Sequence, residues 1–318
     1  MDNLPSLFID RLKKIIPIEQ HYGVFNSFEK NRNVSIRINT LKVEREALLD
    51  VLRQKHIRFC PVSWYDNALI IEGVSVKDIL DIGIVQEGKA YIQGLSSMLV
   101  PVVLGPGKGD YVLDMCAAPG SKTTQMADMT ASTGRIVAVE YIRKRLYKLK
   151  SVVSLLGADN VSFVLADARR YRPSFNKRKD FALFDKILVD APCSSEGRFC
   201  LCDKKTFAFW SIRKIKEMQR KQKGILFNAV RWLKPSGCLV YATCTFAPEE
   251  NEAVIDWLMK KTKGQFRLEP VALQGVATYP AIRTWEGKDY CEQIRNCMRI
   301  LPNDKMQGFF IAKIVRNE

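Results

Sequence analysis

Residues 111 to 123 read YVLDMCAAPGSKT, and this stretch decides the fold. Its apolar start, which ends at Asp114, predicts a buried strand. The small residues from Ala117 to Ser121 predict a tight turn that opens a helix. Such a turn lets the backbone come close to a ligand, and the first turn of a helix offers N–H groups without helical partners. The stretch therefore predicts the first strand, turn and helix of a ligand-binding α/β domain.

The same alternation of apolar run and helical pattern repeats downstream. Further short apolar runs are RIVAVE at 135–140, VSFVLAD at 161–167, DKILVDAP at 185–192 and GCLVYATCT at 237–245. Helical patterns separate them, and GFFIAKIVR at 308–316 predicts a last strand. Continuous apolar strands separated by helices predict a Rossmann-like α/β fold with a mostly parallel twisted sheet covered on both faces.

The first hundred residues have a different pattern. FIDRLKKII at 8–16 and EREALLDVLRQKH at 44–56 predict helices, and NALIIEG at 67–73 predicts a strand. VSIRINTLK at 34–42 alternates as a half-buried strand does, with Ile36 and Ile38 on one face and Arg37 and Asn39 on the other. We therefore expect a small α+β domain over residues 1–105 and a second domain over residues 106–318.

The charge of the chain points to a polyanionic partner. Its formal net charge is +16 and its pI is near 9.4. Basic clusters lie at 143–150 (RKRLYKLK), 176–179 (NKRK) and 213–223 (RKIKEMQRKQK). Lysine and arginine neutralise phosphates and release counterions, so the charge favours a nucleic acid. Solubility alone and an anionic membrane surface are the weaker alternatives.

Membrane and metal partners are not expected. No apolar run reaches the roughly 18 to 20 residues that span a bilayer, and the N-terminus shows no signal-peptide pattern. We therefore expect a cytoplasmic protein whose nine cysteines are free thiols. The close cysteines, Cys200 with Cys202 and Cys291 with Cys297, do not form CxxC pairs, so no zinc site is predicted.

Two of the cysteines occupy similar places in the pattern. Cys193 lies in DAPCSSEG and Cys244 in YATCTFAPEEN, and each follows an apolar run at a predicted strand end. A single cysteine there is best explained as a buried filler. Two such cysteines, with Asp190 three residues before one of them, favour a shared reaction instead.

Acidic residues end successive predicted strands. In an open parallel sheet, ligands bind at the carboxyl ends of the strands. Glu140 is placed to hold two ribose hydroxyls, and Asp167 suits an adenine amino group or a cationic ligand. The turn lacks G-x-G-x-x-G, which argues against a dinucleotide. S-adenosylmethionine fits this set better, although each acid alone is also explained as a helix cap.

The motifs DMCAAPGSKT, DAPCSSEG and YATCTFAPEENE, in this order, resemble the Sun-domain family of RNA cytosine-5 methyltransferases. RINTLK, QGLSSML and GFFIAK extend the resemblance over most of the chain. The resemblance implies an S-adenosylmethionine-dependent RNA (cytosine-5) methyltransferase. It also implies a cofactor site of Cys116, Ala117, Ala118, Pro119, Gly120, Ser121, Lys122, Glu140, Arg145, Asp167 and Asp190. Ser121, Glu140 and Asn303 stand where many members have glycine, aspartate and histidine.

The resemblance further implies catalytic roles for three residues. The nucleophile matches Cys244, whose thiolate adds to carbon 6 of cytosine so that carbon 5 can accept the methyl group. Asp190 matches the acid that stabilises charge near ring nitrogen 3, which requires a raised pKa of the kind an apolar pocket provides. Cys193 matches the cysteine that assists release of the adduct.

The resemblance also bears on the substrate and on alternative functions of the chain. The base is expected to be flipped or single-stranded, and the chain is expected to act as a monomer. Compact members resemble archaeal tRNA enzymes, so tRNA is favoured over rRNA. A noncatalytic RNA-binding assembly factor would lack Cys244, Asp190 or the cofactor loop, and all are present. The aromatic residues after DAPC support the RNA or pack in the interior, an alternative that stays open: Phe199, Phe207, Phe209 and Trp210.

Overall fold

In the computed structural model, which describes residues 4–29, 32–173 and 183–318, helices and strands alternate along most of the chain. The α-helices are α1 Ser6–Ile15, α2 His21–Ser27, α3 Arg45–Gln54, α4 Val76–Asp81, α5 Leu95–Leu104, α6 Ser121–Met129, α7 Arg143–Leu156, α8 Ile212–Val230 and α9 Glu252–Thr262. Short 3-10 helices span Ile18–Gln20, Glu196–Arg198, Lys204–Thr206 and Glu292–Asn296.

The strands of the structure include those that the apolar runs predict. They are β1 Val34–Ile38, β2 Arg58–Pro61, β3 Ala68–Glu72, β4 Ala90–Ile92, β5 Tyr111–Asp114, β6 Arg135–Glu140, β7 Val161–Leu165, β8 Phe184–Asp190, β9 Leu233–Thr243, β10 Phe266–Glu269, β11 Thr278–Pro280, β12 Thr284–Trp285, β13 Lys288–Asp289, β14 Met298–Ile300 and β15 Phe309–Arg316. Each predicted strand and helix named above is confirmed. The basic cluster at 176–179 lies outside the described residues.

The large sheet has the order β11-β14-β15-β9-β8-β5-β6-β7, and β10 also pairs with β15. Strands β5 to β9 are parallel, whereas β15 runs antiparallel to β9. Neighbouring residues of one strand face opposite cores: Val112 packs with α5, α6 and α7, and Leu113 packs with α8 and α9. The sheet is therefore covered on both faces, as the continuous apolar runs predict.

The N-terminal sheet has the order β2-β3-β1-β4, and all its pairs are antiparallel. Ile36 and Ile38 pack with α3 and α4, as predicted. The half-buried interpretation of β1 is wrong, because Arg37 and Asn39 on its other face are also buried. These side chains are buried because that face packs against the second half of the chain.

Arg37 and Asn39 join the N-terminal sheet to α6 and α7. Arg37 donates to Thr124 at 2.9 Å and pairs with Asp128 at 3.5 Å, and both partners belong to α6. Asn39 donates to the backbone oxygen of Leu156, the last residue of α7, at 2.9 Å. One strand of the N-terminal sheet thus holds the two helices that follow β5 and β6. Among the described ranges, no helix is long and apolar enough to cross a membrane.

Candidate active site

The site lies where the order of the parallel strands reverses. The chain runs from β5 through β6 to β7 on one side and through β8 to β9 on the other, so the switch falls between β5 and β8. In open α/β sheets this switch point opens the ligand crevice at the carboxyl ends of the strands. Asp114 ends β5 and Asp190 ends β8, and Cys244 follows the last residue of β9 directly. The predicted site residues are therefore brought to one edge of the sheet.

The two cysteines meet at this edge. The Sγ atoms of Cys193 and Cys244 are 3.4 Å apart, and both side chains are half-buried. They come from loops after β8 and β9, which pair in parallel with Asp190 opposite Ala242. Two thiols at this distance share a hydrogen bond, so the two cysteines lie together at this edge of the sheet.

The surroundings of the two thiols shift their pKa values in opposite directions. Hydrogen bonding from Cys193, and to a smaller extent from Ser195, outweighs burial and lowers the pKa of Cys244 to about 7. The same hydrogen bond, together with burial, raises the pKa of Cys193 well above its ordinary value. Either sulfur can donate at this distance; a hydrogen bond from Cys193 to Cys244 makes Cys244 the thiol that ionises more easily.

Lys122 and Asp190 form an ion pair beside the cysteines. The Lys122 ammonium donates to Asp190 Oδ2 and to Ser97 Oγ, each at 2.8 Å. The expectation of apolar surroundings for Asp190 is wrong, because the Lys122 ammonium lies against its carboxylate. Lys122 belongs to α6, the helix that follows β5. The sequence comparison placed Lys122 with the cofactor only, whereas the structure places it on the predicted catalytic acid.

The turn between β5 and α6 requires its glycine. Gly120 has φ +115°, in the region that side chains rarely adopt. A Cβ atom there would also lie 3.0 Å from Leu149 and 3.2 Å from Val152 of α7. Ser121, by contrast, is the first residue of α6 and has no positive φ, so serine in place of the family's glycine needs no change of the backbone.

Glu140, the acid predicted to hold the ribose, is linked through Arg145 to the turn between β5 and α6. Glu140 is buried at the end of β6 and accepts from the backbone N–H of Ile142 at 2.8 Å. Arg145 lies 3.4 Å from the Glu140 carboxylate and donates to the backbone oxygen of Ala118 at 2.6 Å. Tyr141 and Ile142, the next two residues along the chain, have exposed side chains. This set fits a nucleoside, with a carboxylate for ribose hydroxyls and apolar surface for a base.

Asp167 lies close to Glu140 but already has a partner. It follows the end of β7 by two residues, and the adjacent Ala166 N–H donates to the backbone oxygen of Glu140 at 3.0 Å. The Arg169 side chain forms hydrogen bonds to both carboxylate oxygens, which lowers the pKa of Asp167. Its role toward the adenine stays a prediction, since the adenine would have to share the carboxylate with Arg169.

Two buried glutamates that the motif comparison did not single out hold the cysteine loops. Glu196 accepts from Thr245 Oγ1 at 2.8 Å and from Phe246 N–H at 3.0 Å, next to Cys244. Glu250 accepts from the backbone N–H of Ser194, next to Cys193, at 3.0 Å. Charged residues after a turn usually lie on the exposed surface. The EEN run after Cys244 was the one sequence feature that pointed to Glu250.

The remaining cysteines only partly follow the prediction. Cys238 and Cys297 are buried fillers, as expected, but Cys60 is exposed. The expectation of free thiols is wrong for Cys200 and Cys202, which a disulfide joins. Their spacing of two residues in a loop brings the sulfurs together. Within the described ranges, no cluster of histidine, cysteine, aspartate or glutamate could hold a metal.

The aromatic residues after DAPC divide into two groups. Phe199 and Phe207 are buried with α1 and α2, and Trp210 packs at the edge of that cluster and donates to Glu196 at 2.7 Å. Phe209 is 88% exposed. The packing alternative therefore holds for three of these residues, and Phe209 alone is available to an RNA base.

Comparisons with known proteins agree with this fold. A family model described as 16S rRNA methyltransferase RsmB/F matches residues 101–315, and one for the ferredoxin-like domain of RsmF/B-like methyltransferases matches residues 4–77. A tRNA (cytosine(49)-C(5))-methyltransferase of Pyrococcus abyssi is 38% identical and covers 96% of this chain and 94% of its own. Ribosomal RNA small subunit methyltransferase F of Vibrio vulnificus is 33% identical and covers 98% of this chain, but the match spans only 64% of that protein.

Solved structures show the same architecture. A methyltransferase homolog from Pyrococcus horikoshii has a TM-score of 0.79 at 31% identity and covers 98% of this chain and 100% of its own. NSun6 from the same organism, solved with SFG, also has a TM-score of 0.79, at 23% identity over 99% of this chain and 98% of its own, and supports the fold alone.

Fold and family match together define a Rossmann-like, S-adenosylmethionine-dependent RNA methyltransferase. The chain belongs to the RsmB/F, or Sun-domain, family of RNA cytosine-5 methyltransferases.

Proposed function

We propose that this protein methylates carbon 5 of a cytosine in tRNA, with Cys244 as the nucleophile and Cys193 as the group that assists release. The observation that carries the proposal is the 3.4 Å contact between the two sulfurs, and we propose that Cys193 donates in it and Cys244 accepts. A thiolate is required to attack the ring, and this contact stabilises one on Cys244 at neutral pH.

Bond formation at carbon 6 places electron density on the cytosine ring. Asp190 and Lys122 lie beside the cysteines and form a hydrogen-bonded pair. For Asp190 to donate a hydrogen bond to ring nitrogen 3, it has to carry a proton, and the Lys122 ammonium 2.8 Å away could supply it. The pair thus replaces the apolar pocket expected from the sequence as the means of polarising the ring.

Release reverses the first step. The proton on carbon 5 leaves, the bond between Cys244 Sγ and carbon 6 breaks, and the thiolate is restored. Cys193 keeps its proton during attack because its pKa is raised. Once Cys244 is bonded to the ring, the negative charge beside Cys193 is gone, so Cys193 can give its proton to water more easily, and its thiolate can then accept the carbon 5 proton directly or through water.

S-adenosylmethionine supplies the methyl group as an electrophilic sulfonium. In this proposal the loop from Cys116 to Lys122 lies along the cofactor, Glu140 and Arg145 hold its ribose, and Asp167 faces its adenine. Support comes from the buried carboxylate of Glu140 and from its link to the loop through Arg145.

The substrate proposal rests on coverage and charge. The Pyrococcus abyssi tRNA enzyme matches over nearly the whole of both chains, whereas the rRNA enzymes extend well beyond the match. The net charge of +16 supports RNA binding by the whole chain, and we propose that residues 1–105 take part in it, with support from the contacts of β1 with α6 and α7, which hold this domain beside the cofactor loop. We also propose a monomer, because one chain supplies both cysteines, Asp190 and the cofactor loop.

The proposal is tested by bisulfite sequencing of tRNA and rRNA from cells with and without the gene. A 5-methylcytosine that disappears from a tRNA is the expected result. Loss from 16S rRNA alone would show that the substrate is wrong, and no loss in either would contradict the proposed reaction. Purified protein with tRNA and 16S rRNA transcripts provides the matched measurement in vitro.

The division of labour between the cysteines has its own test. Cys193→Ala is expected to accumulate a protein–RNA adduct that survives denaturation, whereas Cys244→Ala is expected to form none. An adduct trapped by Cys244→Ala instead would show that the two roles are reversed.

A further inference from the structure

The loop that carries Cys193 rests on two buried side chains. The backbone oxygen of Pro192 accepts from Gln222 Nε2 at 3.0 Å, and the backbone N–H of Ser194 donates to Glu250 Oε2 at 3.0 Å. Gln222 Nε2 also donates to Glu250 Oε2 at 2.8 Å, and both side chains are fully buried. One amide–carboxyl pair therefore fixes the backbone on both sides of Cys193.

Glu250 is itself held in place. The Tyr241 hydroxyl donates to its backbone oxygen at 2.6 Å, and Tyr241 lies in β9, three residues before Cys244. Gln222 belongs to α8, which packs along the face of the sheet opposite α5 and α6. The Cys193 loop is thus anchored to elements of the core and not to a flexible segment.

The Cys244 loop depends on a different carboxyl group. Thr245 donates to Glu196, and Gly197 N–H donates to the backbone oxygen of Cys244 at 2.9 Å. The Ser194 and Thr245 hydroxyls, 2.7 Å apart, also join the two loops. Removing Glu250 therefore disturbs Cys193 first.

The protonation of Glu250 is consistent with this holding role. Burial raises the pKa of Glu250 to about 8, so its carboxyl group is neutral at physiological pH. Glu250 Oε1 and Gln222 Oε1 are buried and have no hydrogen-bond partner among the described residues. A proton on Oε1 leaves Oε2 to accept from both Ser194 and Gln222, and it avoids a buried charge.

We propose that Glu250, together with Gln222, is a positioning residue that aligns Cys193 for release of the enzyme–RNA adduct. The inference rests on the proposed function, because it assumes that Cys193 acts in release. Loss of the Glu250 side chain leaves the Ser194 N–H buried without its acceptor, so the loop has to move. A displacement of about 1 Å at a reacting group can cost about 10²-fold in rate. The release step should therefore slow more than bond formation.

The test compares four variants of the full-length protein with Cys193→Ala. Glu250→Ala removes both contacts, Gln222→Leu removes the amide, and Glu250→Gln keeps an oxygen that can accept from Ser194. Gln219→Ala is the matched control, because Gln219 lies on the same helix but donates to the backbone oxygen of Glu249 and not to the Cys193 loop. Total RNA from cells that lack the gene is the substrate, with S-adenosylmethionine that carries a labelled methyl group.

Two readouts separate positioning from stability: turnover, and the fraction of protein in a denaturation-resistant adduct. Glu250→Ala and Gln222→Leu are expected to accumulate adduct, as Cys193→Ala does, with turnover reduced by about 10²-fold. Glu250→Gln is expected to release the product at least about tenfold faster than Glu250→Ala, since it restores the contact to Ser194. Gln219→Ala should behave as the wild type.

Other outcomes would overturn the proposal. Release at the wild-type rate by Glu250→Ala would do so, as would loss of turnover without adduct in both Glu250→Ala and Gln222→Leu. If Glu250→Ala does not fold, Gln222→Leu and Glu250→Gln decide the question. If Cys193→Ala itself traps no adduct while the wild type methylates, the proposed role of Cys193 fails first, and the result is distinguishable from failure of Glu250 alone.

Discussion

The loops after β8 and β9 resemble each other in sequence and position, but the pKa values of their cysteines are shifted in opposite directions. Each places a cysteine just beyond a buried parallel strand, and the two sulfurs touch. Yet the pKa of Cys244 is lowered to about 7, whereas the pKa of Cys193 is raised well above its ordinary value. Position at a strand end brings a thiol to the crevice, and in the proposed reaction the direction of one hydrogen bond decides which thiol attacks.

Cys244→Ser is expected to have the largest effect, because it removes the thiol whose pKa is lowered. A hydroxyl fits the same space but does not ionise near neutral pH, so the variant lacks a nucleophile for carbon 6. Turnover is expected to fall by on the order of 10³-fold or more, while S-adenosylmethionine binding stays at the wild-type level. Methyl incorporation and calorimetric cofactor binding measure the two effects. Turnover within tenfold of the wild type would exclude Cys244 as the nucleophile.

Glu250→Gln tests whether the Glu250 carboxyl group, which holds the Cys193 loop, is neutral in the folded protein. The unfolded chain loses the Glu250 proton near its ordinary pKa of 4.5, whereas the folded protein keeps it up to about pH 8. Wild-type stability from this group is therefore present at low pH and is lost as pH rises through that window. The variant does not titrate there, so from pH 5 to 8 it should gain on the order of 3 kcal/mol relative to the wild type.

Chemical denaturation at several pH values measures that difference. Asp114, whose pKa burial raises to about 7, contributes in the same direction in both proteins and cancels. A constant difference in stability across the range would show that Glu250 is charged in the folded protein.

Cys193→Ala sharpens the contrast by removing the donor that stabilises the Cys244 thiolate. The pKa of Cys244 should then rise from about 7 toward its ordinary value of 9.0, since hydrogen bonding from Cys193 is the main cause of the lowered pKa. The rate of adduct formation rises with the thiolate fraction, so its half-maximal pH should move upward. At pH 7 the rate should fall by about tenfold and recover near pH 9. Rapid-quench measurements of the adduct across this range check the shift, and an unchanged profile would contradict the assigned donor.

Phe209→Ala asks whether the segment after the Cys193 loop contacts the substrate. An exposed ring gives a stacking surface for an RNA base, which is worth about 1 to 3 kcal/mol. RNA affinity is expected to fall by about fivefold or more, with the same dependence on salt, because no charge is removed. Titration of labelled RNA at several salt concentrations measures both quantities. An unchanged affinity would leave Phe209 without a role in binding.

Ser195→Ala is the mildest change to the same hydrogen-bond set. Ser195 is a secondary cause of the lowered Cys244 pKa, after Cys193. The pH profile of adduct formation should therefore shift upward by less than in Cys193→Ala, with a loss of about two- to threefold at pH 7. A shift larger than that of Cys193→Ala would reverse the order of the two donors.

Much of this arrangement could be predicted from the sequence, because strands and turns leave local signals. The apolar runs located β5 to β9, and small residues located the turn at Gly120. Since parallel strands end at one edge, Cys193 and Cys244 could be expected to meet there. These inferences need only the order of residues along the chain.

What could not be predicted depends on pairs far apart in sequence. Glu250 and Gln222 are 28 residues apart, and nothing in either segment indicates the contact. A charged residue after a turn is usually solvated, so its burial depends on packing that a single sequence does not reveal. The same holds for Lys122 on Asp190, 68 residues apart, and for β1, whose polar face is covered by α6.

The contacts of β1 with α6 and α7 also limit how such enzymes can be recombined. A chimera that exchanged only the N-terminal sheet would set a foreign strand against the helices that flank the cofactor loop. Without Arg37, Asp128 would lose its counter-charge inside the protein, which is strongly destabilising. Changes in the N-terminal sheet must therefore evolve in step with α6 and α7, so this domain is not a detachable module in the chain.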